Sequence, residues 1–199
     1  MLRSRLLIPA LLLAILPLEA WTEETPGPSA PVDRLEQALL ANMQSDRDFD
    51  ARYAELRPLV QDIMAVERMA RYLFGRDWRT FEAGQRDRFA EVFLDLSAAT
   101  YARQFDRYGG ERFDPVEVQQ PADDRAVVKR MLTTGSGRKV PFDYLMTGSD
   151  DGWQIVTIIA DGVSDLALKR SQYQKIVDED GLAGVIRHIE QQVAKQRGD

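Results

Sequence analysis

The chain has 199 residues, with 32 acidic side chains against 26 basic ones, a formal net charge of −6 and no cysteine. A hydrophobic content of 44% beside 29% charged residues is that of one folded globular domain, not of a disordered chain. The absence of cysteine excludes disulfides, thiol nucleophiles, zinc–thiolate sites and iron–sulfur clusters. A single histidine excludes metal sites built from two or three imidazoles of one chain, and the acidic balance disfavours nucleic acid as a partner.

Arg3 and Arg5 precede an apolar run from Leu6 to Leu16, and Leu18-Glu19-Ala20 follows. Residues 1–20 therefore read as a cleaved secretory signal. A membrane anchor needs about 20 apolar residues, and Pro9 and Pro17 suit one poorly. The mature product is expected to be soluble and exported, working in the periplasm of a cell with two membranes. Residues 21–32, with Pro26, Gly27, Pro28 and Pro31, read as a flexible N-terminal segment, and residues 33–199 as a single folded domain.

A helical pattern starts at Val32 and continues through Leu35, Leu39 and Met43. The polar stretch Gln44–Asp50 interrupts it. A second helix is expected over Pro58–Phe74, with Pro58 in its first turn, a stripe of Leu59, Ile63, Val66, Ala70 and Leu73, and Gly75 as its C-cap. A third is expected from Thr80, as N-cap, to about Tyr108, ended by Gly109-Gly110. Four short strands follow, around Val116–Gln119, Ala126–Thr133, Val140–Thr147 and Trp153–Ala160. The turn compositions between them are so short that they imply an antiparallel meander. Ser164 is expected to cap a helix over Asp165–Val177, and Asp180 a last one carrying Leu182, Val185, Ile186, Ile189 and Val193. The order of helices, sheet and helices predicts an α+β fold, with helices covering one side of a curved sheet.

Few motifs suggest chemistry. His188 with Ser164 or Ser171 and an aspartate could be drawn as a triad, but no glycine-flanked nucleophile elbow is present and the histidine lies in a charged amphipathic helix. Thr134-Gly-Ser-Gly-Arg-Lys139 superficially suggests phosphate binding, yet it joins two strands and lacks the helix that would hold an anion; it reads as a hairpin loop. Asp123-Asp124 and Asp150-Asp151 fall in turns, where aspartate is favoured for backbone reasons, and not in a calcium-binding loop. The third helix tells more. Its stripe of Phe89, Phe93, Leu96, Tyr101 and Phe105 matches the sheet face of Phe142, Tyr144 and Met146. The two form either a solid core or the walls of an apolar cavity, and periodicity does not separate these readings.

Three patches are similar to a known family. They are Met69-Ala-Arg-Tyr-Leu-Phe-Gly-Arg-Asp-Trp78 through Gly84–Phe93 and Thr100-Tyr101-Ala102; then Gly152-Trp153-Gln-Ile155 with Asp161-Gly-Val-Ser164 and Arg170-Ser-Gln-Tyr173; and Asp180-Gly181-Leu182. Their order and spacing resemble the periplasmic lipid-binding component of the Mla (maintenance of outer-membrane lipid asymmetry) pathway. This is the toluene-tolerance family, which includes a hopanoid-associated branch. Phe74 stands where the family usually has leucine, and Asp165 where it has an apolar residue. The resemblance implies an NTF2-like curved sheet around an apolar pocket for the acyl chains of a phospholipid, no cofactor and no covalent chemistry. It also implies exchange of lipid with an outer-membrane lipoprotein complex and with an inner-membrane ABC transporter, through the latter's ring protein of the mammalian-cell-entry type. The protein is expected to act as a monomer. The expected pocket wall is Phe74, Phe89, Phe93, Leu96, Tyr101 and Phe105 from helices, with Val128, Met131, Phe142, Tyr144, Met146, Ile155 and Ile158 from strands. Arg71 and Arg170 are candidates for a phosphate contact at the mouth, while Trp78 and Trp153 read as structural wedges. The alternatives are a hopanoid or other polycyclic-lipid carrier, a small-molecule enzyme on the same scaffold, and an adaptor with a filled core.

Overall fold

Hydrophobic stripes at helical spacing account for the first half of the chain in the computed structural model, which describes residues 26–198. Helix α1 (Ser29–Met43) buries Val32, Leu35, Leu39 and Met43. It begins three residues before Val32, so part of the segment expected to be flexible is helical; the expected signal, residues 1–20, lies outside the described residues. Helix α2 (Phe49–Ile63) is capped by Asp48, whose carboxylate accepts the Ala51 N–H at 2.9 Å.

The expectation of one helix starting at Pro58 is corrected in two ways. Pro58 lies inside α2, where a missing N–H and a ring clash cost about 3 kcal/mol. Its exposed position and the buried stripe of Leu56, Val60 and Ile63 hold the helix together across it. The chain then leaves helical geometry at Met64, whose extended backbone bridges to Ile155, and the Ala65 N–H donates to the Ile155 carbonyl at 2.9 Å. Helix α3 (Val66–Phe74) follows and ends at Gly75, which takes a φ of 61°. Thr80 does not cap the next helix; its hydroxyl bonds the Asp77 carbonyl at 2.8 Å in a 3₁₀ turn, Asp77–Arg79. Helix α4 runs over Ala83–Gln104, stopping short of Tyr108.

The sheet is the expected antiparallel meander, with strands in the order β1-β2-β3-β4-β5. They are β1 (Arg112–Ala122), β2 (Arg125–Thr133), β3 (Lys139–Ser149), β4 (Gly152–Ala160) and a short fifth, β5 (Val163–Ser164). Val128 pairs with Tyr144, and Tyr144 with Ile158; Ala126 pairs with Met146, and Met146 with Ile155. These residues face the helices. A bulge between Leu145 and Met146 and two irregularities in β1 interrupt the ladder, and such insertions bend and twist a sheet. Ser164 caps α5 (Asp165–Arg197) as expected, its hydroxyl accepting the Ala167 N–H at 3.2 Å. The two C-terminal helices are two limbs of this element, broken at Gly181, whose φ of 64° and ψ of −170° suit only glycine. The second limb folds back to bury Leu182, Val185, Ile186 and Ile189.

One polar cluster fixes α1 to the sheet. Arg130, on the inner face of β2 and 6% exposed, donates to Asp33 at 2.6 Å and to Glu36 at 3.2 Å. Burial pushes the Glu36 carboxyl up from 4.5 to about 7, against the opposing pull of Arg130 and of the Tyr144 hydroxyl. Between those values the folded chain holds a proton that the unfolded chain has released, so stability falls as pH rises from about 4.5 to about 7. The loss is at most ~3 kcal/mol. Urea midpoints measured from pH 5 to pH 8 should decline, and Glu36→Gln should flatten that decline; an unchanged slope in the variant would assign it to another group.

Candidate binding cavity

Between α4 and the inner face of the sheet the side chains do not meet fully. They leave a cavity of ≈ 240 Å³. Its floor is Phe142, Tyr144, Ile155 and Ile158 of the sheet; its roof is Phe93, Tyr101 and Phe105; α1 closes one side with Leu35 and Leu39, and Met64 and Met69 another. The exposed residues Gln104, Val163 and Asp165 mark its rim.

Among the described residues few polar groups reach this space, and all but Asp165 at its rim are neutral. The Ser97 hydroxyl turns back to the Phe93 carbonyl at 2.9 Å, and the Thr157 hydroxyl pairs with that of Ser164 at 3.2 Å. Burial raises the Tyr101 phenol, helped by the nearby Asp165 carboxylate, and raises the Tyr144 phenol, helped by Glu36. Both stay protonated at any physiological pH. Among the described residues Asp165 is the one charged side chain in the lining; it is 74% exposed and lies at the rim. Such a wall accepts hydrocarbon and offers little to an ion.

The structure brings together Phe93, Tyr101, Phe105, Phe142, Tyr144, Ile155 and Ile158 among the expected wall residues. It places the other six elsewhere. Phe74 and Phe89 pack edge-to-face at 5.0 Å and enclose Trp78 in a solid aromatic cluster between α3, α4 and α5. Leu96 faces a groove between α4 and α5. Val128 is fully buried and does not reach the cavity surface. Met131 alternates with Arg130 and Leu132 and therefore points to the outer face of the sheet. Met146 borders a second depression with Arg68, Arg71 and Arg125. Arg71 pairs with Glu67 at 3.0 Å, and Arg170 lies over the Tyr72 ring at 4.9 Å; neither lines the cavity. Leu35, Leu39, Met64, Met69 and Leu166 are wall residues that the sequence does not reveal, because their stripes read equally well as ordinary core.

The remaining motifs take structural positions. Trp78 donates to Glu67 at 3.0 Å, and the Trp153 ring packs on Gly148, where an added Cβ would sit 3.3 Å from it. His188 pairs with Gln172 at 2.8 Å and meets Tyr173 edge-on. Thr134–Lys139 closes the β2–β3 hairpin, with the Gly137 N–H donating to the Thr134 carbonyl at 2.8 Å. Among the described residues no group of three or more acidic or histidine side chains is arranged to hold a metal ion.

The contrast between solid cluster and cavity wall has a measurable consequence. Phe89→Ala removes a ring that is 0% exposed and should cost about 3–5 kcal/mol of unfolding free energy. Phe105→Ala, at the half-buried rim, should cost roughly 1 kcal/mol. Equal losses in urea titrations would mean that Phe105 is as tightly packed as Phe89.

Comparison with known proteins agrees with this geometry. A solved phospholipid-binding protein from Ralstonia solanacearum, determined in complex with a phospholipid, has the same fold, with a TM-score of 0.71 at 21% identity. The match covers 86% of this chain and 99% of that one. A family model described as MlaC protein matches residues 32–191. Because that span takes in α1, the sheet and all but the end of α5, this chain belongs to the MlaC protein family.

Proposed function

We propose that the protein is a soluble periplasmic carrier that holds the acyl chains of a phospholipid between α4 and the sheet and shuttles the lipid across the envelope. The observation that carries this reading is the apolar, neutral-walled cavity with its exposed rim. Family membership and the phospholipid-bound protein of the same fold support it. Residues 1–20 then direct export and are removed. The lipid is exchanged with an outer-membrane lipoprotein complex on one side and with the ring protein of an inner-membrane ABC transporter on the other. Among the described residues no helix is long and apolar enough to cross a membrane. The chemistry is binding and release, with no covalent step and no cofactor other than the lipid.

The physics requires such a carrier. Each methylene moved into water costs about 0.8 kcal/mol, so a two-chain lipid with roughly 30 of them faces over ~20 kcal/mol. If a methylene fills about the ~30 Å³ share of a water molecule, those chains need ~900 Å³. Counting the open mouth, the space between α1, α4 and the sheet comes to ≈ 970 Å³, so the chains fit with part of their length at the mouth.

The test is to express the full chain in a bacterium with two membranes and to purify the mature protein from the periplasm without detergent. Bound lipid is then identified by native and denaturing mass spectrometry. One phospholipid per protein is expected. Ala160→Trp, which places a large ring in the cavity lining, should lower that occupancy at least about fivefold, since a Trp fills much of the available volume. Recovery of a polycyclic lipid in place of phospholipid would change the cargo and keep the carrier. Purified protein with no lipid, and a thermal midpoint unmoved by added lipid, would overturn the reading.

A further inference from the structure

Beside the cavity rim lies a second concavity of different character. It is a groove of ≈ 700 Å³ bounded by α4 and by both limbs of α5, which the break at Gly181 folds against each other. Thr100 and Asp165 line both spaces, so groove and cavity adjoin across these two residues. Where the cavity is apolar, the groove is polar and basic. Arg103 enters from α4, Lys169 from the first limb, and Lys195 from the second, among the side-chain amides of Gln191, Gln192 and Gln196. Among the described residues Asp165 is the only acidic side chain in the lining, and it is already paired with Lys169. Among the described residues Arg103 and Lys195 have no ion-pair partner. In a chain of net charge −6, three cations facing one carboxylate make a local positive field.

We propose that this groove is the head-group site, and that it selects anionic phospholipids, with Arg103 and Lys195 facing the phosphate and the glutamine amides bonding a hydroxylated head group. This rests on the carrier reading above. A lipid whose chains lie under Phe93 and Tyr101 leaves the cavity at the rim beside Thr100 and Asp165, and its phosphate then meets the groove without crossing apolar surface. A guanidinium and an ammonium recognise the phosphodiester common to all phospholipids. Discrimination comes from the rest of the head group. A choline or ethanolamine cation is repelled by the unpaired Arg103 and Lys195, whereas a glycerol head group adds no charge and offers hydroxyls to the amides. Asp165, which lines both spaces, holds Lys169 in place in the groove.

The test incubates the mature protein with vesicles of equimolar phosphatidylglycerol, phosphatidylethanolamine and phosphatidylcholine of identical chains. The protein is re-isolated, and bound lipid is quantified by head group. The wild type should be enriched in phosphatidylglycerol by roughly three- to tenfold, the scale of two exposed charge contacts. Arg103→Gln/Lys195→Gln, both at exposed positions, should return the bound lipid to the vesicle ratio and lower total lipid per protein less than Ala160→Trp does. A second arm titrates the protein calorimetrically with glycerol 3-phosphate, which should show no saturation below millimolar concentration. Wild-type protein carrying lipid at the vesicle ratio, or a double variant that keeps the enrichment, would overturn the head-group site and leave the carrier standing. Tight binding of glycerol 3-phosphate that the double variant loses would assign the groove to a free phosphate ester and overturn it as well. Wild-type protein that takes up no lipid would overturn both.

Discussion

The guanidinium of Arg130 is the fixed point of the structure. It is buried on the inner face of the sheet, and it orients α1 by holding Asp33 and Glu36 from successive turns of that helix. Through this contact Leu35 and Leu39 become a wall of the cavity and not a lid pressed flat on the strands. A buried ion pair adds little net stability, since desolvation consumes most of its Coulomb energy. Glu36 shows this, its carboxyl pushed up to about 7 beside a full positive charge. The pair contributes position, since it ties two carboxylates of α1 to one point on β2.

Much of the fold is legible in the sequence because the relevant periods are strict. The meander is readable from Val140, Phe142, Tyr144 and Met146, which alternate cleanly, and from turn residues too few to bridge parallel strands. The C-terminal helix start is readable from Ser164, and the start of a last helix expected at Asp180 lies beside the break, which falls at Gly181. The errors share a cause. Pro58 reads as a boundary, although a proline on the solvent side of a well-buried helix is tolerated. The true boundary at Met64–Ala65 is invisible because Ile63, Val66 and Ala70 keep helical spacing through it. What breaks the helix there is a hydrogen bond to Ile155, ninety residues away in the chain, and no local propensity encodes that.

The cavity is legible only in composition. Phe89 and Phe93 lie one turn apart on α4 with ring centroids 5.3 Å apart, yet Phe89 closes on Phe74 and Trp78 while Phe93 reaches the cavity. Nothing in their identity distinguishes them; the difference is where α3 and α5 stop covering α4. Met131 misleads for a simpler reason. The strand Ala126–Thr133 is apolar on both faces, so alternation gives no sign of which side faces inward until Arg130 is placed. Arg71 and Arg170 carry the right chemistry for a phosphate but line neither the cavity nor the groove beside it, whereas Arg103 and Lys195 line that groove. Charge type can be read from a sequence, but the end of the cavity at which it falls cannot.

The size of the cavity follows from the stability of a domain this small. A dry void of ~900 Å³ would cost about 20 kcal/mol at ~24 cal/mol per Å³, more than the ~5–15 kcal/mol by which a whole domain is stable. A space of ≈ 240 Å³, the volume of the observed cavity, carries about 6 kcal/mol on the same scale, which a stable domain can bear.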